Sequence, residues 1–179
     1  MHVCIVGLGL MGGSLALALK RAAWCTAITG VSRREETLVA AAAAGAIDRG
    51  LTDLGQGVHH ADLVVLATPV RTILAQLATV GEHAGAGSII LDLGSTKGEI
   101  CAGMDRLPPH LQPLGGHPMC GREVGGFAAA QADLYVGKTF VLCPLTRTSP
   151  SAVDVAREMA EAAGSTVRVL SPEAHDRAV

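Results

Sequence analysis

Gly7-Leu8-Gly9-Leu10-Met11-Gly12 decides the fold. The hexapeptide has the spacing G-x-G-x-x-G. It directly follows the apolar run His2–Val6 and leads into a helical pattern, Gly12–Arg21. In that setting each glycine has a task. Gly7 permits a tight turn, Gly9 lets the backbone approach a pyrophosphate, and Gly12 lets helix and strand pack closely. The backbone N–H groups of the first helical turn, Leu10 and Met11 among them, point at a bound anion along the positive end of the helix dipole. The spacing alone is a weak signal, but at a strand–turn–helix opening a βαβ unit it is specific.

Working outward, short apolar runs alternate with longer helical ones. Strands are expected at His2–Val6, Ala27–Val31, Leu63–Ala67, Ser88–Leu93, Thr139–Cys143 and Thr166–Leu170. All six read as continuous apolar runs, the pattern of parallel strands covered on both faces. Helices are expected at Gly12–Arg21, Glu35–Ala44, Val70–His83, Lys97–Arg106, Val124–Ala130 and Pro150–Ala163. The fold class is therefore α/β, a Rossmann-type doubly wound and mostly parallel sheet. Pro108–Pro109 and Gly115–Gly116 interrupt the alternation and read as a long central connection. Residues 1–170 form the expected nucleotide-binding domain. In Ser171–Val179, Ser171 reads as an N-cap, with Pro172 at the first helical position and Glu173 after it.

Composition excludes several classes. The 179 residues carry a net charge of −2, 49% hydrophobic residues and 2% aromatics. With no basic run or aromatic ladder, nucleic acid is not an expected partner. Cys4, Cys25, Cys101, Cys120 and Cys143 are scattered, with no C-x-x-C pair. That fits reduced thiols in a cytoplasmic protein and no metal site. Val3–Leu19 resembles a signal peptide in apolarity, but its Lys20 and Arg21 follow it and glycines break it. It is also short for a membrane span, so no membrane is expected. His59, His60, His83 and His110 lack ligand-like spacing and read as surface residues.

The cofactor is read at the end of the second strand. A carboxylate there, about 20 residues past the last glycine, would bind the ribose 2′-hydroxyl of NAD. This chain has Ser32-Arg33-Arg34 instead. A hydroxyl and two guanidiniums suit a 2′-phosphate, so NADP is expected over NAD. Thr68 and Pro69, closing another strand, either pack along the cofactor or form an ordinary strand-to-helix turn.

GLGLMGG (7–13), LDLGSTKG (91–98), GGHPMCG (115–121) and SPEAHDRAV (171–179) together resemble the prephenate/arogenate dehydrogenases in order and spacing. GGHPM is the most specific of them. GVSRRE (30–35) is similar to the NADP-dependent arogenate dehydrogenases of that family. The resemblance implies oxidative decarboxylation of arogenate or prephenate in tyrosine biosynthesis, with hydride transfer to the nicotinamide. It assigns His117 to the histidine that takes the substrate hydroxyl proton, and Ser95 to the serine beside it. Lys97 either contacts substrate or cofactor or only begins a helix. His175 matches a histidine near the domain junction that reaches toward the substrate. Arg122 and Glu123 either line the mouth of the site or carry surface charge. Cys120 reads as a packing residue.

In that family a second, all-helical domain forms the homodimer and supplies an arginine for the substrate carboxylate. Residues 171–179 read as the start of the helix leading to it. The 179 residues alone are then expected to bind NADP with little or no turnover, and to expose apolar surface near Ser171–Val179. Two other readings stay open at this point. One is a different oxidoreductase of the same fold, of the β-hydroxyacid dehydrogenase or imine reductase type. The other is a non-catalytic NADP-binding fragment.

Overall fold

The computed structural model describes residues 1–121 and 124–179. The chain runs β1 (His2–Val6), α1 (Leu10–Arg21), β2 (Ala27–Val31), α2 (Glu35–Ala43), β3 (Arg49–Leu51), α3 (Leu54–Val58) and β4 (Leu63–Leu66). It continues with α4 (Val70–His83), β5 (Ile89–Asp92), α5 (Gly98–Met104) and β6 (Gln112–Pro118). A 3₁₀ turn at Phe127–Ala129 follows, then β7 (Thr139–Pro144), α6 (Pro150–Ala162), β8 (Thr166–Val169) and α7 (Pro172–Asp176). The described strands make one sheet in the order β3-β2-β1-β4-β5-β6-β7-β8. β3 to β6 across that order are mutually parallel; β7 turns antiparallel to β6, and β8 is parallel to β7.

Side chains alternate between two cores because strand period is two. Val3 and Ile5 of β1, Leu63 and Val65 of β4, and Leu91 of β5 face one layer with Leu15 and Leu19 of α1 and Ala156 and Met159 of α6. Cys4 and Val6, Val64 and Leu66, and Ile90 face the other, with Ile73 and Val80 of α4 and Ile100 and Met104 of α5. Both faces are thus covered, which is why the strands read as unbroken apolar runs. Leu91 is completely buried, and truncating it to Ala removes about 2–5 kcal/mol. No described helix is long and apolar enough to cross a membrane.

Four expectations need correction. The central connection contains a strand, β6, which pairs with β5 and β7 inside the sheet. Its glycines answer close approaches: a Cβ on Gly116 would lie 2.6 Å from the Asp92 carbonyl oxygen, and one on Gly115 2.7 Å from the Cys101 sulfur. The sequence also hides β3 and α3, both short, although Asp53 caps α3 by accepting from the Gln56 N–H at 2.7 Å. The helix expected at Val124–Ala130 is only the 3₁₀ turn. β8 is an exposed edge strand rather than a doubly covered one. Its Arg168, like Arg49 of β3 at the opposite edge, is a charge of the kind that discourages edge-to-edge pairing. The last helix follows its signals, with Ser171 accepting from the Ala174 N–H at 3.1 Å and Pro172 at its start.

Candidate functional site

Two parts of the site lie at the carboxyl edge of the parallel strands. The first is a cavity of about 460 Å³ where the connections from β1 and β4 diverge. Gly7, Gly9, Ser32, Arg33, Arg34, Thr68 and Pro69 all line it. Such a divergence is where open α/β sheets bind ligands. Gly7 has φ +96°, the left-handed region open to glycine. A Cβ on Gly12 would stand 2.0 Å from the Gly7 carbonyl oxygen, so only glycine lets α1 start this close to the turn. Gly9 differs, because a Cβ there meets nothing within 4 Å. Its missing side chain leaves space above the start of α1 rather than relieving a clash.

That space suits a pyrophosphate. Gly9 makes no side-chain cap to α1, and the first turn holds no acidic residue. The helix therefore offers uncapped N–H donors and an uncompensated positive dipole end. Leu10 is buried and Met11 half-buried, so these two present backbone rather than side chain. At the far side of the cavity Ser32 is half-buried and accepts from the Arg34 N–H at 3.2 Å. The Arg33 and Arg34 side chains are exposed and form no ion pair among the described residues. Thr68 donates to Gln76 Oε1 at 2.8 Å, and Pro69 sits at the N-cap of α4. The residues present fit a nicotinamide dinucleotide.

The second part is an imidazole pair. His117 lies near the end of β6, one residue past Gly116, which packs on Asp92 at the end of β5. The central strand missed by the sequence reading therefore delivers the imidazole to the same edge as the cavity. His117 Nδ1 is 2.8 Å from Nε2 of His175, on α7. The His175 Nδ1 is in turn 2.7 Å from Asp176 Oδ1. Burial holds His117 down to a pKa of about 4, helped by the nearby His175 and Lys97. Its imidazole is neutral at physiological pH and available to accept a proton.

Below this pair lies a buried ion pair. Lys97 Nζ donates to Asp92 Oδ2 and, at 2.7 Å, to the Gly116 carbonyl. Asp92 also accepts from the N–H groups of Gly94 at 2.7 Å and Gly116 at 3.2 Å. Burial pushes the Asp92 carboxyl up, against the pull of the Lys97 ammonium and these N–H groups. The pair thus holds both the N–H and the carbonyl of Gly116, the residue before His117.

Comparison with known proteins then identifies the domain. The family model described as "Prephenate dehydrogenase, nucleotide-binding domain" matches residues 15–169. The chain belongs to this family. It is 36% identical over 177 residues to a Bacillus subtilis prephenate dehydrogenase, covering 97% of this chain and 47% of that protein. A crystal structure of Synechocystis arogenate dehydrogenase superposes with a TM-score of 0.93 at 32% identity, over 100% of this chain and 63% of that one. The Aquifex aeolicus prephenate dehydrogenase in complex with hydroxyphenyl propionate and NAD+ gives 0.91 at 31% identity, over 99% and 62%. The chain thus spans about half to three fifths of the length of these relatives.

Within this prephenate dehydrogenase domain the expected site residues separate into groups. The cavity gathers Gly7, Gly9, Ser32, Arg33, Arg34, Thr68 and Pro69 of the expected nucleotide set, while Leu10, Met11 and Gly12 do not line it; it adds Thr37, Thr52 and Gln76, which carry no motif signal. Ser95 is exposed just beyond β5. The Lys97 side chain is 0% exposed and committed to Asp92 and Gly116, and the residue stands at the N-cap of α5. His175 is 1% exposed and meets His117 at 2.8 Å. Burial pushes the Cys120 thiol up, in keeping with a packing residue. Arg122 and Glu123 lie outside the described residues.

Asp92 and Asp176, which the structure brings into this cluster, were not singled out in the sequence. Asp92 had a signal, a lone carboxylate ending the apolar run Ile89–Leu91. Asp176 had none beyond its place after His175.

Proposed function

We propose that the protein serves the oxidative decarboxylation of arogenate or prephenate, with NADP as the preferred hydride acceptor. The observation that carries this reading is His117, a neutral imidazole held at the same carboxyl edge of the sheet as the glycine-lined cavity. A bound nicotinamide nucleotide supplies the acceptor for the hydride that leaves the carbinol carbon. His117 accepts the hydroxyl proton as the hydride departs. Loss of the ring carboxylate as CO₂ sends its electron pair into the ring, and His117 returns the proton to the phenolate oxygen. Aromatisation drives the sequence, so orientation and one proton are the protein's share of the work. Ser95 helps place the substrate hydroxyl. Lys97 acts indirectly, by fixing the strand that carries His117.

Ser32, Arg33 and Arg34 support NADP over NAD, because they bring a hydroxyl and two cations where a carboxylate would select the free ribose. The grip on the substrate carboxylate we assign to the family's helical domain. Residues 1–179 are expected to bind NADP. The test is an assay with both substrates and both cofactors, with the helical domain supplied. His117→Asn should abolish turnover and keep nucleotide affinity. Undiminished turnover in that variant removes His117 from the chemistry.

A further inference from the structure

The geometry points to Asp176 as a positioning residue that, through His175, fixes the tautomer of His117 so that Nε2 is the free base. This rests on His117 being the proton acceptor, and it adds which nitrogen acts and what selects it.

The argument runs inward from the carboxylate. Asp176 Oδ1 accepts from the Lys97 N–H at 2.7 Å, and Oδ2 accepts from the Gly98 N–H at 2.8 Å. These are two of the N–H groups that the start of α5 leaves without helical partners. Burial raises the Asp176 pKa, but the N–H groups of Gly98 and Lys97 and the contact with His175 outweigh it and hold the carboxyl below its ordinary value. The group is then ionised near neutral pH and can only accept.

His175 Nδ1, 2.7 Å away, must therefore be the donor. In a neutral imidazole the other nitrogen then carries the lone pair. His175 Nε2 faces His117 Nδ1 at 2.8 Å, and two lone pairs cannot meet at that distance. His117 Nδ1 donates, which leaves its Nε2 as the lone pair. One anchored carboxylate thus sets the proton positions on both rings. His175 is 1% exposed, so water cannot easily substitute for either partner. Replacing the carboxylate removes the only acceptor-only group in the chain of contacts. A charge-assisted hydrogen bond of this kind biases the tautomer ratio by roughly ten- to a hundred-fold.

The test is a long-range ¹H–¹⁵N correlation spectrum of the ¹⁵N-histidine-labelled 179-residue chain at neutral pH. It reports the protonated nitrogen of each ring without requiring turnover. The expected result is Nδ1–H at both His117 and His175. In Asp176→Ala that preference should fall by about tenfold or more at both rings. Should this variant not fold, Asp176→Leu keeps the volume while removing every acceptor, and the same loss is expected. His117 protonated at Nε2 in the parent chain overturns the proposal. So does an unchanged His117 tautomer in a folded Asp176 variant, which would reduce Asp176 to a cap on α5. The parent function fails separately: correct tautomers together with full turnover in His117→Asn would sink the base assignment and leave tautomer control standing.

Discussion

The Lys97 ammonium and the Asp92 carboxylate meet with neither side chain exposed, and the same ammonium holds the carbonyl of Gly116, the residue before His117. A charge pair in this position contributes little net stability, but breaking it is costly, because the survivor is a buried charge without a partner. Lys97→Met should lower stability by about 3–5 kcal/mol in denaturant titration. The double variant Asp92→Asn/Lys97→Met should recover part of that loss. A single variant as stable as the parent would contradict the pairing.

Gly9 and Gly12 separate folding from binding. Gly12→Ala drives a methyl to 2.0 Å from the Gly7 carbonyl oxygen, so the turn must shift and the melting temperature should fall. Gly9→Ala meets nothing within 4 Å in the protein itself, so its melting temperature should stay close to that of the parent. It puts a methyl where the pyrophosphate is expected, and calorimetric affinity for NADP should drop at least tenfold. Equal effects of the two substitutions on both measurements would argue against a phosphate seat there.

The proposed NADP preference assigns the 2′-phosphate to Arg33 and Arg34. Each charge-assisted contact to a 2′-phosphate contributes about 1.5–3 kcal/mol. The double variant Arg33→Ala/Arg34→Ala should therefore lose roughly a hundred-fold or more in NADP affinity, while NAD affinity changes by only a few-fold. A parent chain that binds NAD more tightly than NADP ends the preference outright.

His117 should titrate with a pKa of about 4, followed through its ring signals by NMR. The unfolded value of about 6.5 lies higher, so between the two the unfolded chain binds more protons than the folded one. The stability from keeping this ring neutral is complete above about 6.5 and is lost as pH falls toward 4. The lowered carboxyl of Asp176 acts in the same direction at still lower pH. In His117→Asn the slope of melting temperature against pH over that window should flatten. A ring that protonates near 6.5 in the folded chain would refute the buried setting.

β1, β2, β4 and β5 were legible because they are covered on both faces, unlike the short, mostly exposed β3. β6 was not. Strand recognition looks for apolar, β-branched residues, whereas Pro113, Gly115 and Gly116 answer to neighbours: the Cys101 sulfur and the Asp92 carbonyl leave no room for a Cβ. The nucleotide site could be read because its parts are local in sequence. The imidazole pair could be named but not assembled, since His117 and His175 meet only after β6 and α7 dock from distant parts of the chain. Lys97 was left open between a ligand contact and a helix start. It stands at the N-cap of α5, and its burial depends on where Asp92 and Gly116 come to rest.

β6 and β7 are antiparallel neighbours, and Met119 N–H already bonds the Thr139 carbonyl at 2.7 Å. The chain between them leaves and rejoins the sheet at one spot. It is moored again on α1, where Gln131 N–H bonds Ser14 Oγ at 2.9 Å and the Tyr135 hydroxyl bonds the Met11 carbonyl at 2.9 Å. The register of His117 therefore rests on the β6–β7 ladder and these moorings, and the packing of Phe127 and Ala129 on the core ties the stretch between them to α1 as well. A change in α1 would be felt across the sheet, at the segment that follows the imidazole.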